Sequence, residues 1–248
     1  LVRRELDERR IMAEIDLFCR SGVEEIAVLD PIFNMGPLAK SILQRFIDNG
    51  FTGKLALQCR AEMCDDEFLE MASNLDVKFE FGLQTIHPEE SKAVNRPNNM
   101  PKVNEVFDKM NSMGLDYEVS LIFGLPNQTL SSFQETVDWC LRKKVPVIKA
   151  FPLMLLRGTE VEQRRDEWGL VESDGSMPVV LESDTFSQED WHRMFEISEL
   201  LKETEEKHPE TVQNLTPGNE VRLEFGRFMP FNRMGIAMTN LLMTEGAR

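Results

Sequence analysis

Five short β-rich runs recur along the first 150 residues, at 25–29, 54–58, 78–83, 117–123 and 147–151, and their starts lie 24 to 39 residues apart. An interval of that size holds one strand and one covering helix. The residues between the runs carry helical stripes. Leu38, Ile42, Leu43, Phe46 and Ile47 fall three or four apart and stop at Asn49-Gly50, a helix-ending pair. Val103, Val106, Phe107 and Met110 form a second stripe ending at Gly114, and Phe133, Val137, Cys140 and Leu141 a third before Pro146. Asp65 or Asp66 is placed to cap a further helix through Met71, because a short carboxylate accepts from the free amides of a first turn.

Strands alternating with helices predict a parallel sheet with helices outside it, and crossovers of one hand curl such a sheet toward a barrel. A helix over 3–21 precedes the first run, which implies a feeding strand upstream of Leu1. The fold expected is α/β, a partial (β/α)6-type TIM-like barrel with its first strand missing. The chain is expected to be a piece of a longer polypeptide. Residues 1–160 read as the barrel and 161–248 as a mainly helical C-terminal extension, with one long helix over 187–207 entered through Ser187-Gln188-Glu189-Asp190, close to a capping box. In the last forty residues, Pro209, Pro217, Gly218, Gly226 and Pro230 break the pattern. Met229, Met234, Met238 and Met243 suit adaptable packing or a partner contact.

Composition closes off several function classes. With 42% hydrophobic and 29% charged residues, the chain has the balance of a globular protein and not of a disordered one. The densest apolar stretch, 147–156, contains Lys149 and Pro152, so no membrane span is expected. A net charge of −15 repels nucleic-acid backbones and anionic membranes at long range. The three histidines are dispersed, and Cys19, Cys59, Cys64 and Cys140 form no CxxC pair; neither a metal site nor a disulfide framework is expected from them. Reduced thiols and a cytoplasmic location follow.

In a parallel βα sheet, ligands sit at the carboxyl ends of the strands. Those ends read Leu29-Asp30-Pro31, Gln58-Cys59-Arg60, Gly82-Leu83-Gln84-Thr85, Ser120 with Phe123-Gly124-Leu125-Pro126, and 151–156 running into Gly158-Thr159. The ordered set Gly82-Leu83-Gln84-Thr85, Asn95-Arg96-Pro97, Ser120 through Thr129 and Gly158-Thr159 resembles the barrel of the radical S-adenosylmethionine (radical SAM) superfamily. The strongest likeness is to its cobalamin-type and coproporphyrinogen-oxidase-like members, and it runs from about residue 1 to 205. Each piece alone is weak; four in order at strand ends are specific.

The resemblance implies cofactor contacts at Asp30, Gln58, Gln84, Arg96, Ser120 and Leu155. Arg96, twelve residues beyond Gln84, would meet the methionine carboxylate of S-adenosylmethionine with a planar fork of donors; a surface arginine in a polar loop is the competing role. Gln84 can donate and accept at once. Asp30 would face the amino end of the cofactor, or cap the next helix. Residues 151–156, Leu155 among them, would pack along adenine and offer backbone hydrogen bonds, or serve as barrel core. Gln58 stands where related families commonly carry a Glu or other polar residue, and Ser120 where coproporphyrinogen-oxidase-like members usually carry an aspartate; both departures remove a negative charge facing the ligand. Gly124-Leu125-Pro126 makes a tight strand-to-helix turn.

Members of the superfamily hold a [4Fe–4S] cluster on a CxxxCxxC loop, and no such spacing exists between Leu1 and Arg248. The resemblance puts that loop just before helix 3–21, upstream of Leu1, and adds a cobalamin domain in some members. The function implied is the core of an enzyme that cleaves S-adenosylmethionine to a 5′-deoxyadenosyl radical, with a small-molecule or peptide substrate and a flavodoxin or ferredoxin as electron donor. This chain alone would then be inactive. The alternative is a degenerate, cluster-free barrel serving as a ligand- or protein-binding module. A βα barrel for phosphorylated substrates is a third class, disfavoured because no GxxxxGK loop appears.

Overall fold

The computed structural model describes residues 6–216. All five expected strands form: β1 Glu25–Val28, β2 Lys54–Cys59, β3 Asp76–Gln84, β4 Asp116–Phe123 and β5 Val147–Pro152. They lie in the sheet in chain order, β1-β2-β3-β4-β5, with β1 and β5 at its edges. The sheet is therefore open, a partial barrel. Pairing is parallel from β1 through β4, in a continuous register that aligns Ala27 with Ala56, Ala56 with Lys78 and Lys78 with Asp116.

The helices are α1 Glu8–Ser21, α2 Ala39–Asp48, α3 Asp66–Ala72, α4 Pro88–Ala93, α5 Met100–Met113, α6 Leu130–Arg142, α7 Glu160–Gln163 and α8 Gln188–Glu203. Helix α1 is entered at Glu8, where the Asp7 side chain caps it through the amide of Arg10 at 3.1 Å. The first residues of the helix expected there lie outside the described residues. Helix α8 carries the full capping box, Ser187 and Asp190 each bonding the other's backbone amide. It stops at Glu203, short of the expected 207. A two-stranded antiparallel sheet, β6 Val171–Glu172 with β7 Val180–Glu182, occupies part of the segment read as helical extension. Its strands, of two and three residues, are too short for an alternating signal to emerge. The four tail methionines and the breaks from Pro217 onward fall outside the described residues; among the described ones no helix is long and apolar enough to cross a membrane.

The chain packs as two compact units that interleave along the sequence. The first runs through Ile86 and adds Pro97–Leu121 and Arg142–Lys149; the second comprises His87–Arg96, Ile122–Leu141 and the residues from Ala150 on.

Successive side chains of a strand point to opposite faces, and the first unit uses this strictly. One face is apolar and buried: Leu55, Leu57 and Cys59 of β2, Val77, Phe79, Phe81 and Leu83 of β3, Tyr117, Val119 and Leu121 of β4. Rings link it to the helices. Phe79 stacks on Phe81 at 5.7 Å, Phe68 of α3 lies 6.0 Å from Phe79, and Phe107 of α5 lies 5.6 Å from Phe81 and 5.1 Å from Tyr117. Tilted and offset contacts of this kind add to the burial term. In the second unit, Phe123 packs against Phe133 of α6 and Trp191 of α8.

The opposite face of the first unit's strands is charged and small: Ala27, Ala56 and Gln58, Lys78, Glu80 and Gly82, Glu118 and Ser120, with Lys149 on β5. Glu118 is its centre. Its side chain is 6% exposed, and both Lys78 and Lys149 donate to its Oε2, at 2.9 and 2.7 Å. Burial pushes this carboxyl up, but the two ammonium bonds outweigh that and hold it below the ordinary value of 4.5. A depressed folded pKa means a stabilising contribution that is full above 4.5 and lost as pH falls through the lower, folded value. Glu118→Gln is expected to lower the unfolding free energy by about 2 kcal/mol at pH 7, and denaturant titrations should find that gap closing as the pH is taken into the acid range. A gap independent of pH would show that Glu118 is not held ionised by its lysines.

Candidate functional site

The carboxyl ends of β1 to β4 place four of the expected residues side by side along one end of the sheet. Asp30 follows β1, and its Oδ1 accepts the Ile32 amide at 3.0 Å. That bond makes it the cap of a tight turn and not of the helix that follows, whose first turn no side chain caps. Gln58, near the end of β2, is exposed, and its Nε2 donates to Glu80 Oε2 at 3.2 Å. Ser120 stands in register with Gly82 on the same face.

Gln84 is the residue that differs from ordinary strand chemistry. The register of β3 against β4 slips between Gly82 and Gln84, so that Gln84 pairs with Leu121. Its φ is 62°, in the left-handed region, which costs a residue with a Cβ about 1–2 kcal/mol. The Thr85 amide donates across it to the Leu83 carbonyl at 2.8 Å, closing a left-handed γ-turn, a rare and strained form. The side chain is 9% exposed, and its buried Oε1 has no hydrogen-bond partner. An unsatisfied buried acceptor costs about 1–3 kcal/mol. Strain and an unmet acceptor coincide at one residue, the combination found where a ligand completes a site.

Asn98 holds that turn in place. Its Nδ2 donates to the carbonyls of Leu83 at 2.8 Å and Thr85 at 2.9 Å, one on each side of Gln84. Glu80 is the other residue that the motif did not reveal. The negative charge that Gln58 lacks is carried by Glu80, hydrogen-bonded to it from the next strand. Alternation along β3, which puts Lys78, Glu80 and Gly82 on one face, was the signal that could have found it.

Arg96 and Leu155 belong to the second unit. Asn95 adopts a left-handed φ of 52° at the end of α4, a conformation asparagine tolerates. The Arg96 amide then closes on the Ser91 carbonyl at 2.8 Å, which fixes where the arginine leaves the backbone. Leu155 is fully buried, and its amide donates to the Pro178 carbonyl at 2.9 Å. Its side chain and its N–H are thus both engaged within the unit. The exposed apolar side chains of this stretch are Phe151, Met154 and Leu156.

The Gly124-Leu125-Pro126 turn is stapled by Gln128, a fully buried amide. Its Oε1 accepts from the amides of Gly124 at 2.7 Å and Leu125 at 3.2 Å, and its Nε2 donates to the Ile122 carbonyl and to the buried carboxylate of Glu90. Gly124, at φ 85°, also passes close to the Val180 carbonyl, 3.3 Å from where a Cβ would stand. The Gln-Thr part of the motif is therefore turn architecture.

No cluster site exists among the described residues. Cys59, Cys64 and Cys140 are buried and Cys19 is partly exposed. Burial pushes the Cys59 and Cys140 thiols far up and the Cys64 thiol to about 12, away from the thiolate that iron requires. No three of the described His, Cys, Asp and Glu side chains are grouped to hold a metal ion.

The model of the Radical SAM superfamily matches residues 2–140, more than half of the sequence. The chain belongs to the radical SAM superfamily. Among solved structures, the fold resembles the radical S-adenosylmethionine methyltransferase TsrM of Kitasatospora setae, which was solved with cobalamin and a [4Fe–4S] cluster bound, with a TM-score of 0.59 and 18% identity over 77% of this chain and 38% of that one. It also resembles the archaeal Elp3 of Methanocaldococcus infernus, with a TM-score of 0.55 and 12% identity over 97% of this chain and 59% of that one. An uncharacterized protein of Methanocaldococcus jannaschii is 20% identical over 114 residues, 44% of this chain and 35% of its own length. This radical SAM chain thus spans less than two thirds of each.

Because Gln84 is strained as well as unsatisfied, removing its side chain relieves the fold. Gln84→Gly is expected to raise the unfolding free energy by about 1 kcal/mol, the left-handed penalty for a residue with a Cβ, as measured by urea denaturation. A loss of stability would mean that the side chain serves packing.

Proposed function

We propose that this chain supplies part of the S-adenosylmethionine-binding wall of a radical SAM enzyme, and that Gln84 is the residue of the first unit that contacts the cofactor. The unmet Oε1 at the end of β3, held at a strained backbone by Asn98, is the observation that carries this reading. Buried acceptors without partners are rare, and a nucleoside cofactor offers hydroxyl and amino donors to satisfy one. The carboxylates of Asp30, just after β1, and of Glu80, within β3, suit the cationic sulfonium and ammonium of the same cofactor by charge. Ser120 adds a hydroxyl on that face.

S-adenosylmethionine supplies radical chemistry in this family once an iron–sulfur cluster delivers an electron. The described residues do not fit a cluster, so in this proposal its thiolates come from outside residues 6–216, and a flavodoxin or ferredoxin reduces it. What the described residues do is bind and orient. Gln84 fixes one polar edge of the cofactor, Asn98 keeps the Gln84 backbone from relaxing, and Gln128 holds the Gly124 turn at the end of β4. We place the enzyme in the cytoplasm, where its thiols stay reduced.

Calorimetric titration with S-adenosylmethionine tests the reading without needing the cluster. Gln84→Asn keeps a residue that accepts the left-handed conformation but shortens the reach. It is expected to weaken binding about tenfold, the worth of one buried hydrogen bond. Equal affinity of wild type and variant, or no binding by either at millimolar concentration, would overturn the assignment.

A further inference from the structure

Asn98 holds the strained turn at Gln84, and the residues before and after it show what holds Asn98. The chain leaves the first unit after Ile86 and returns to it at Pro97, so Asn98 is the second residue back. After it α5 begins, where the Asn99 side chain accepts the Lys102 amide at 3.3 Å. Before it, the Pro97 carbonyl accepts from Arg60 Nη2 at 2.9 Å. That carbonyl and the Asn98 amide share one planar, stiff peptide unit, and the proline ring fixes the φ that precedes it. A bond to the Pro97 oxygen therefore sets where the Asn98 side chain starts.

Arg60 is itself fixed at both its main chain and its side chain. β1 pairs with β2 only as far as Val28 opposite Leu57, which leaves the Arg60 main chain without a β1 partner. The side chain of Asn34, 26 residues away, takes that place. Its Oδ1 accepts the Arg60 amide at 3.0 Å and its Nδ2 donates to the Arg60 carbonyl at 2.8 Å. Nη2, the nitrogen that reaches Pro97, also pairs with Glu62 Oε1. The Arg60 and Glu62 side chains are 23% and 16% exposed, so neither is a freely solvated charge. An exposed ion pair contributes little. A largely buried guanidinium that also reaches a carbonyl 37 residues along the chain is a tie between loops. Asn34, Arg60, Pro97, Asn98 and Gln84 all belong to the first unit.

We propose that Arg60 is a positioning residue of the cofactor site: its bond to the Pro97 carbonyl places Asn98, and through Asn98 it keeps Gln84 in the left-handed conformation. This rests on the reading of Gln84 as the cofactor contact. A φ of 62° is disfavoured for a residue with a Cβ, so a released Gln84 relaxes towards ordinary strand geometry. The two Asn98 bonds oppose that relaxation only while Asn98 is anchored. Arg60 acts at one remove, by cutting the rearrangement that binding would otherwise require. Arginine suits the task better than lysine, because its planar fork presents donors to the carboxylate and the carbonyl in one fixed geometry.

Hydrogen exchange of the Thr85 amide, followed by NMR on the cofactor-free full chain, reads this relay directly, because that amide closes the turn over Gln84 onto the Leu83 carbonyl. Arg60→Gln, whose side chain is too short to reach Pro97, is expected to quicken that exchange about tenfold while the amides in the middle of β4 exchange as in the wild type. Calorimetric titration then separates positioning from general stability. Arg60→Gln should weaken S-adenosylmethionine binding about fivefold, and by less than about twofold in a Gln84→Gly background, where no side chain is left to position. If Gln84→Gly alone binds as the wild type does, the Gln84 reading has failed, and the Thr85 exchange still decides the relay. Should Arg60→Gln not fold, Arg60→Lys carries the test: its ammonium keeps the charge beside Glu62 without the fork, and Thr85 exchange should quicken about threefold. Unchanged Thr85 exchange in a folded Arg60 variant, or equal weakening of binding in both backgrounds, would overturn the proposal.

Discussion

Side-chain alternation along a strand is the constraint from which the rest follows. Once Phe79, Phe81, Tyr117 and their neighbours are committed to the helices, every residue between them is committed to the opposite face. On β3 that puts Lys78, Glu80 and Gly82 together, and on β4 Glu118 and Ser120. The ring contacts therefore do two things. They add to the burial that holds α3 and α5 to the sheet, and they deliver a polar surface in fixed register on the other side.

That surface is graded along the strands. Paired charges lie in its middle, where Lys78, Lys149 and Glu118 satisfy one another. Towards the carboxyl ends the pairing runs out, and Gln84 carries an acceptor that nothing meets. The strain at Gln84 is local because its neighbours are restrained: Asn98 bonds the carbonyls on both sides, and the slip in register against β4 begins only after Gly82. A rigid sheet thus holds one residue in a conformation it would leave if released, which is how a site is organised before its ligand arrives.

Much of this was legible in the sequence. The β-rich runs and helical stripes located all five strands of the sheet to within two residues at either end, since buried elements with a strong period state themselves. Gln84 was legible through its place in the motif at a strand end. What was not legible depends on partners distant in sequence. The pairing of Glu118 with two lysines and of Gln58 with Glu80 exists only in the register of three strands. Asn98 bonds a strand end thirteen and fifteen residues back. Beside Gln58 a negative charge stands on the neighbouring strand, at Glu80, whereas Ser120 faces Gly82. Leu155 was singled out from an apolar run whose exposed members are Phe151, Met154 and Leu156, a parity that the run itself does not show. The short strands β6 and β7 pair over too few residues to leave a pattern.

The central claim is that the strained, unsatisfied glutamine at the end of β3 marks where the cofactor docks. A crystal structure of the protein grown with S-adenosylmethionine tests it most directly. The account predicts a donor of the cofactor within hydrogen-bond distance of Gln84 Oε1, with the φ of that residue still near its present 62°. Cofactor bound elsewhere, with that oxygen still unmet, would contradict it.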